Sequence, residues 1–239
     1  MVNRRKEGQH RLWLAGIVLA LAVLSGVLWL RQYENPWHPT GGAISYIPQV
    51  ILDPGHGGMD GGAVSQSGIQ EKDLNLAISL KTRMLLKLCG IDTVMTRDSD
   101  VSLDYVEGAA VRQNKQNDLK ARADVAARYP ESDFISIHMN QFQQSKYHGA
   151  QVFYGQNSLS QQLAQGMQDA FRQVLDPSND RKIKPVPEGV YVMRKVTAPA
   201  VIAECGFLSN PQEAEKLAQD DYQTKAALAI AGAYLRFAA

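Results

Sequence analysis

The 239-residue sequence predicts an α/β protein with a mostly parallel central sheet, helices on both faces of the sheet and an N-terminal transmembrane helix. Short apolar runs alternate with segments of helical periodicity, an order typical of right-handed strand–helix–strand units. A separate uncharged run, Leu12–Leu30, is long enough to cross the hydrocarbon core of a bilayer. These observations together predict a membrane-anchored α/β domain.

The chain divides by composition into three parts. Residues 1–31 are predicted to form a cytoplasmic amino terminus and an anchor, residues 32–46 a linker rich in Pro and Gly, and residues 47–239 the folded α/β domain that carries the function. Arg4, Arg5 and Lys6 precede the apolar run, so the amino terminus is expected in the cytoplasm and the α/β domain outside the membrane. A cleaved signal peptide, giving a secreted protein, is the alternative. The apolar run is longer than the usual signal-peptide core, which favours the anchor.

The charge balance argues against a nucleic-acid partner. The formal net charge is +1 at pH 7, but residues 1–31 hold five basic residues against one acidic residue, so the rest of the chain has 20 basic and 23 acidic residues, a net charge of −3. The remainder therefore carries no basic field that would attract a polyanion.

The predicted elements follow in order from the first strand, Val50–Leu52. A long amphipathic helix begins at Glu71, and Gly90 closes it, because glycine is the usual residue just past a helix end. A strand over Ile91–Thr96 follows at once. The polar stretch 98–117 is expected to be a long loop, and a short helix over Asp118–Arg128 leads into the next strand.

The second half of the domain continues the alternation. A strand over Gly149–Tyr154 precedes a helix over Ser158–Val174, and the Pro-containing stretch 176–189 is expected to be a loop. Asn210, followed by Pro211 and by Glu213 at the third helical position, predicts the start of a further helix.

Three apolar strands each lead to one side chain that can bind a metal or move a proton: His56, His138 and Glu204. Because parallel strands end at the same edge of a sheet, these side chains are expected to lie close together, with Glu71 beside them. A lone strand-end His is most often structural, and a Glu such as Glu71 often only complements the helix dipole. Two His and one Glu around an open position, with a separate carboxylate as base, are nevertheless a set that catalytic zinc sites use.

Cys205, next to Glu204, raises the possibility of a thiol nucleophile. Strand alternation points Cys205 away from the face that presents Glu204, and cysteine is commonly buried as a small apolar residue. The sequence therefore favours a packing role for Cys205.

Four ordered motifs carry a resemblance to a known family. Residues 53–58 (DPGHGG), 71–76 (EKDLNL), 136–140 (SIHMN) and 199–210 (PAVIAECGFLSN) are similar to the motifs of zinc-dependent N-acetylmuramoyl-L-alanine amidases of the amidase-3 type. The resemblance spans roughly residues 49 to 237. It implies that His56, Glu71 and His138 bind one zinc ion and that Glu204 is the catalytic acid/base. Asp53 is expected to orient His56, since a zinc-bound His usually donates its second N–H to an acceptor.

The resemblance implies hydrolysis of the amide between N-acetylmuramic acid and L-alanine in peptidoglycan. With its predicted membrane anchor, the chain also resembles those family members that act in spore-cortex remodelling and germination. In them the reaction prepares the formation of muramic δ-lactam. A protein activator is possible for such an enzyme. The alternatives are another zinc amide hydrolase, either a peptidase or a sugar N-deacetylase, and a non-catalytic wall-binding protein.

Overall fold

A computed structural model describes residues 49–239 of the protein. These residues form one six-stranded sheet and five α-helices. In chain order the elements are β1 (Val50–Pro54), α1 (Glu71–Leu88), β2 (Thr93–Met95), α2 (Val111–Arg128), β3 (Asp133–Asn140), β4 (Gln151–Tyr154), α3 (Ser160–Val174), β5 (Lys184–Pro185), a short 3₁₀ helix (Val192–Arg194), β6 (Ala200–Phe207), α4 (Pro211–Leu217) and α5 (Asp220–Ala238).

The sheet has the strand order β2-β1-β3-β6-β4-β5, and every neighbouring pair is parallel except β4 and β6. The predicted α/β class with a mostly parallel sheet is confirmed. Strands β1, β3 and β6 read as nearly continuous apolar runs because both faces of the sheet are covered.

The two faces of the sheet are covered differently. On one face, α1, α3 and α5 pack over a large core that contains Leu52, Ile135 and Val201. On the other face, a smaller cluster around Phe134 and Ile202 is covered by α2 and the 3₁₀ segment. The side chains that alternate onto this second face near the carboxyl ends of the strands form the functional site.

Helix α2 begins at Val111, seven residues before the predicted start at Asp118, and the predicted loop 98–117 ends at residue 110. The helix start was missed because the first three turns bury no apolar side chain. They are held by polar contacts instead: Asn114 exchanges hydrogen bonds with the backbone of Val106 at 2.9 and 3.1 Å, and Asp118 accepts one from the backbone N–H of Leu103. Apolar periodicity cannot detect such an anchor.

The start of helix α4 agrees with the prediction. Asn210 caps the helix by accepting a hydrogen bond from the backbone N–H of Glu213. The Glu213 side chain does not return to Asn210; its two oxygens accept from the backbone N–H groups of Gly149 and Phe207 at 2.9 and 2.8 Å. Glu213 therefore ties the end of β6 to the segment before β4.

Two further predictions concern the ends of elements and the membrane anchor. Gly90 has a φ of +79° just past the end of α1, as the predicted C-terminal cap requires.

Within residues 49–239, no helix combines the length and apolar character that a membrane crossing needs. The predicted span Leu12–Leu30 and the linker to residue 46 lie outside the described residues.

Candidate metal centre

His56 lies in the turn after β1 with a φ of +60°, a left-handed conformation that costs energy for a residue with a side chain. Two buried arginines stabilise this turn. Arg122 donates to the carbonyls of Pro54 and His56 at 2.7 and 2.5 Å, and Arg97 donates to those of Pro54 and Gly55 at 3.0 Å each. The backbone that presents the imidazole is therefore held by charged donors on three successive carbonyls.

Asp53 does not orient His56, contrary to the sequence-based expectation. Its buried carboxylate accepts hydrogen bonds from Thr96, Ser136 and Arg122 at 2.6 to 2.7 Å. Burial alone would raise the pKa of Asp53, but Arg122 and the two hydroxyls bring it below its usual range. The strand directs Asp53 toward Arg122, so this carboxylate fixes the arginine that supports the turn.

Asp60 is the residue that orients His56. Asp60 Oδ2 lies 3.0 Å from His56 Nδ1, and Asp60 Oδ1 pairs with Lys115 at 3.1 Å. Nδ1 therefore donates to the carboxylate, which leaves Nε2 facing Glu71 at 3.3 Å. Although burial would lower the pKa of His56, its bonds to Asp60 and Glu71 raise it to about 9.

Glu71 is the first residue of α1 and is only 4% exposed. Its Oε1 accepts from the backbone N–H of Met139 at 3.1 Å and lies 2.9 Å from His138 Nδ1. Its Oε2 accepts from the backbone N–H of Ala63 at 2.8 Å. Burial would raise the pKa of Glu71, but the hydrogen bonds to both imidazoles drive it far below its usual range. The carboxylate is thus ionised between two imidazoles.

His138 ends the apolar part of β3, and its ring lies directly against Gly55. A Cβ atom added at Gly55 would come within 2.1 Å of His138 Cε1, so a side chain at position 55 would displace the ring. The His56 and His138 rings meet edge to face, with centroids 5.1 Å apart. Absence of a side chain at position 55 is therefore what lets the two imidazoles approach each other.

The structure brings the three predicted ligands together. One ligand atom from each of His56, Glu71 and His138 lies within 4.8 Å of the other two. Two imidazole nitrogens and one carboxylate oxygen are donors that zinc favours, and three protein ligands leave a position for water or substrate. The donor set and its geometry fit a catalytic zinc ion.

Glu204 stands beside the ligand cluster, in register with His138 on β3 and with Gln151 on β4. Its Oε2 is buried and has no hydrogen-bond partner within the described part of the chain, although the residue as a whole keeps some exposed surface. Burial, opposed by His138 and reinforced by Glu71, raises the pKa of Glu204 to about 7. A carboxyl group with this pKa can both accept and release a proton near neutral pH.

Cys205 faces away from the site, as strand alternation predicted. Its side chain is fully buried in the larger core, and burial raises the pKa of its thiol. Cys205 and Cys89 are both free, the former buried and the latter exposed. A thiolate nucleophile at Cys205 is therefore inconsistent with the structure.

A cleft opens beside the candidate metal ligands on the face covered by α2. A cavity of about 230 Å³ is lined by His56 and His138 together with apolar side chains. Those apolar residues are Leu119, Phe134, Val190, Val192, Met193 and Ile202. The site is thus bordered by an apolar recess between the sheet and α2.

Sequence reasoning missed Asp60, Arg97 and Arg122 as parts of the site. The spacing of Asp60, four residues after His56, could have indicated the ion pair within the glycine-rich turn. No comparable signal existed for the arginines, because both reach the turn from distant parts of the chain.

Comparisons with known proteins agree with this geometry. Residues 50–235 match the family model described as N-acetylmuramoyl-L-alanine amidase. The chain is 35% identical to the germination-specific N-acetylmuramoyl-L-alanine amidase of Bacillus subtilis, over 98% of this chain and 96% of that protein. Among solved structures, it resembles the CwlD amidase of Clostridioides difficile, solved in complex with the GerS lipoprotein, with a TM-score of 0.76, 39% identity and coverage of 80% of this chain and 98% of that one. The catalytic domain of the CwlV amidase of Bacillus (Paenibacillus) polymyxa gives a TM-score of 0.65 at 32% identity, covering 79% and 97%.

Proposed function

Because the chain belongs to the N-acetylmuramoyl-L-alanine amidase family, we propose that it hydrolyses the amide between N-acetylmuramic acid and L-alanine in peptidoglycan with one zinc ion. His56, Glu71 and His138 would hold the zinc, and Glu204 would act as the catalytic acid/base. The observation that carries the proposal is the buried oxygen of Glu204, which has no hydrogen-bond partner among residues 49–239 and lies next to a set of three candidate ligands.

The mechanism follows from the surroundings of each side chain. Zinc in such a site supplies Lewis-acid chemistry: it polarises an amide carbonyl and makes water nucleophilic at neutral pH. Glu204, in its ionised form, takes the proton that water loses as it attacks the carbonyl carbon. The same carboxyl then returns the proton to the alanine nitrogen as the C–N bond breaks, so Glu204 is regenerated. Asp60 keeps His56 Nδ1 protonated, which leaves Nε2 as the binding nitrogen.

The test combines metal analysis with product analysis. We expect the purified domain to contain one zinc per chain and to release peptides with a free L-alanine amino terminus from purified cell wall, identified by mass spectrometry. New amino termini within the stem peptides would indicate a peptidase, and glucosaminyl residues that have lost acetate would indicate a deacetylase. One bound zinc with no product of any kind would indicate a non-catalytic wall-binding protein.

A role in the spore cortex is supported by similarity along nearly the whole chain to the germination-specific amidase of B. subtilis. In this role the chain would remove stem peptides from muramic acid so that a later deacetylation and ring closure give muramic δ-lactam. Spores that lack the gene should contain no muramic δ-lactam in their cortex, and wild-type protein, but not Glu204→Gln, should restore it.

We also propose that the domain works outside the cytoplasmic membrane, tethered by Leu12–Leu30. The apolar run and its basic flank support this topology. A lipoprotein partner for this chain is proposed as well, since the related CwlD amidase was solved in complex with a lipoprotein.

The membrane tether can be tested directly. Membrane fractionation with amino-terminal sequencing tests the tether; a mature amino terminus near Ala22 or later in a protein released from membranes would contradict it.

A further inference from the structure

The first half of α2 forms one wall of a second groove that adjoins the catalytic cleft. This groove, of about 540 Å³, is lined by three amide side chains, Gln113, Gln116 and Asn117, together with Leu119, Lys120 and Tyr191. Leu119 also lines the cavity at the metal ligands, and Val190 and Val192 of that cavity flank Tyr191 in sequence. The two spaces are therefore neighbours that share Leu119 as a lining residue.

The wall of this groove is not explained by packing. Within residues 111–121, Asn114 is the one buried residue, and polar bonds to the 103–106 loop hold the helix in place. Gln113 and Gln116 are exposed, and the side chains of Gln116 and Lys120 have no hydrogen-bond partner among residues 49–239. Gln113 donates to Asn117 at 2.9 Å. The structure thus presents a row of amide side chains beside an aromatic ring, and packing of the protein core does not account for these amides.

The chemistry of the lining selects the kind of ligand. A primary amide carries both donors and acceptors, which suits the hydroxyl and acetamido groups of an N-acetylated sugar. The half-buried Tyr191 ring adds an apolar surface with a polar tip, and the volume lies within the usual range for ligand pockets. A stem peptide with free carboxylates would need cations. Lys120 is the one basic residue that lines the groove, and the nearby Lys195 Nζ lies over the Tyr191 ring, 5.8 Å from its centre, and does not line the groove.

We propose that this groove binds the N-acetylated sugar residues of the glycan strand that flank the muramic acid being cleaved. The proposal rests on the proposed amidase function and specifies its substrate as a glycan chain rather than a single muramoyl peptide. Gln113, Gln116 and Tyr191 are specificity-determining residues that contact sugars and not the reacting amide.

The experiment compares two substrates that carry the same stem peptide. One is a single N-acetylmuramoyl peptide, and the other is a glycan chain of defined length whose muramic acids bear that peptide. The test variant is Gln113→Ala with Gln116→Ala. The matched control is Gln161→Ala with Gln162→Ala, which alters two exposed glutamines at the start of α3 on the opposite face of the sheet. Zinc content and thermal unfolding are measured for each protein.

In the test variant, the ratio of kcat/KM on the glycan chain to kcat/KM on the single muramoyl peptide should fall about tenfold, which corresponds to the loss of two neutral hydrogen bonds. The fall should lie in KM, and the control variant should keep the wild-type ratio. An unchanged ratio in the test variant would overturn the proposal. Equal losses on both substrates, reproduced by Lys120→Gln, would overturn it in favour of the stem peptide. A zinc-loaded wild type that cleaves neither substrate would instead overturn the amidase function itself, and the sugar site with it.

Discussion

Glu71 and Glu204 stand at the same edge of one sheet in opposite surroundings. The Glu71 carboxylate is fixed by two backbone N–H groups and two imidazoles, whereas Glu204 has a buried oxygen with no partner in the described chain. The pKa of Glu71 lies far below its usual range, and burial raises that of Glu204 to about 7. One residue type thus serves two purposes, because saturated hydrogen bonding keeps a charge in place while desolvation keeps a proton exchangeable.

The largest effect is expected for Glu71 and concerns zinc affinity. Glu71→Gln removes the charge between the two imidazoles, so zinc affinity should fall more than about 100-fold, beyond the loss usual for residues that only support a ligand. Zinc titration by competition with a chelator measures this, with His138→Ala as the reference for a lost ligand. Wild-type affinity in Glu71→Gln, together with zinc loss in Glu204→Gln, would mean that the two roles are reversed.

The second effect concerns Glu204. Glu204→Gln keeps the shape of the side chain but cannot accept a proton, so kcat should fall by about 10² to 10⁴ while one zinc stays bound. The change should appear in kcat rather than in KM, because substrate binding does not need the proton transfer. Full activity in a zinc-loaded Glu204→Gln protein would show that another group performs this step.

A smaller effect sharpens the contrast between Asp60 and Asp53. Asp60→Asn weakens the orientation of His56 and should lower zinc affinity about 10- to 100-fold, measured by the same competition assay. Asp169→Asn is the matched control, since that exposed carboxylate pairs with Arg172 at 3.0 Å on α3, which packs on the opposite face of the sheet. If Asp60→Asn binds zinc as tightly as the control, the ion pair with His56 has no role in metal binding.

The last effect is on stability and not on metal binding or turnover: it is the pH dependence of unfolding in the metal-free protein. The pKa of Glu204 rises from 4.5 to about 7 on folding because of burial, so the native state holds the proton longer. The free energy of unfolding should therefore decrease as pH rises from about 4.5 to 7, by up to roughly 3 kcal/mol from this group. His56 stabilises the fold fully below pH 6.5 and loses its contribution as pH rises through about 9.

Urea unfolding between pH 4 and 10 measures both effects. Glu204→Gln should make the decrease between pH 4.5 and 7 smaller and leave the decrease toward pH 9. A residual decrease at lower pH is expected, because burial also raises the pKa of Asp133 and of Glu213. A variant that keeps the full wild-type decrease would show that Glu204 does not contribute to it.

The sequence predicted the residues whose positions follow from strand periodicity. His56, His138 and Glu204 were found because each follows an apolar run, and Glu71 because it begins an amphipathic helix. Asp60 was missed, and the role of orienting His56 was given to Asp53. Because His56 has a left-handed backbone conformation, its imidazole faces Asp60 and not Asp53. Arg122 was missed, although its helix was predicted, because it reaches the turn from a position 66 residues farther along the chain. Contacts between distant, polar segments leave no period in a sequence.

The contact between Gly55 and His138 limits which substitutions can accumulate at these two positions during evolution. The residue tolerated at position 55 depends on a side chain that lies on another strand, because it is the ring of His138 that fills the space of a Cβ atom. Substitutions at the two positions are therefore epistatic. A small residue at 138 would free position 55 for larger side chains, and any lineage that took this route would have to restore the glycine before it could regain the metal ligand.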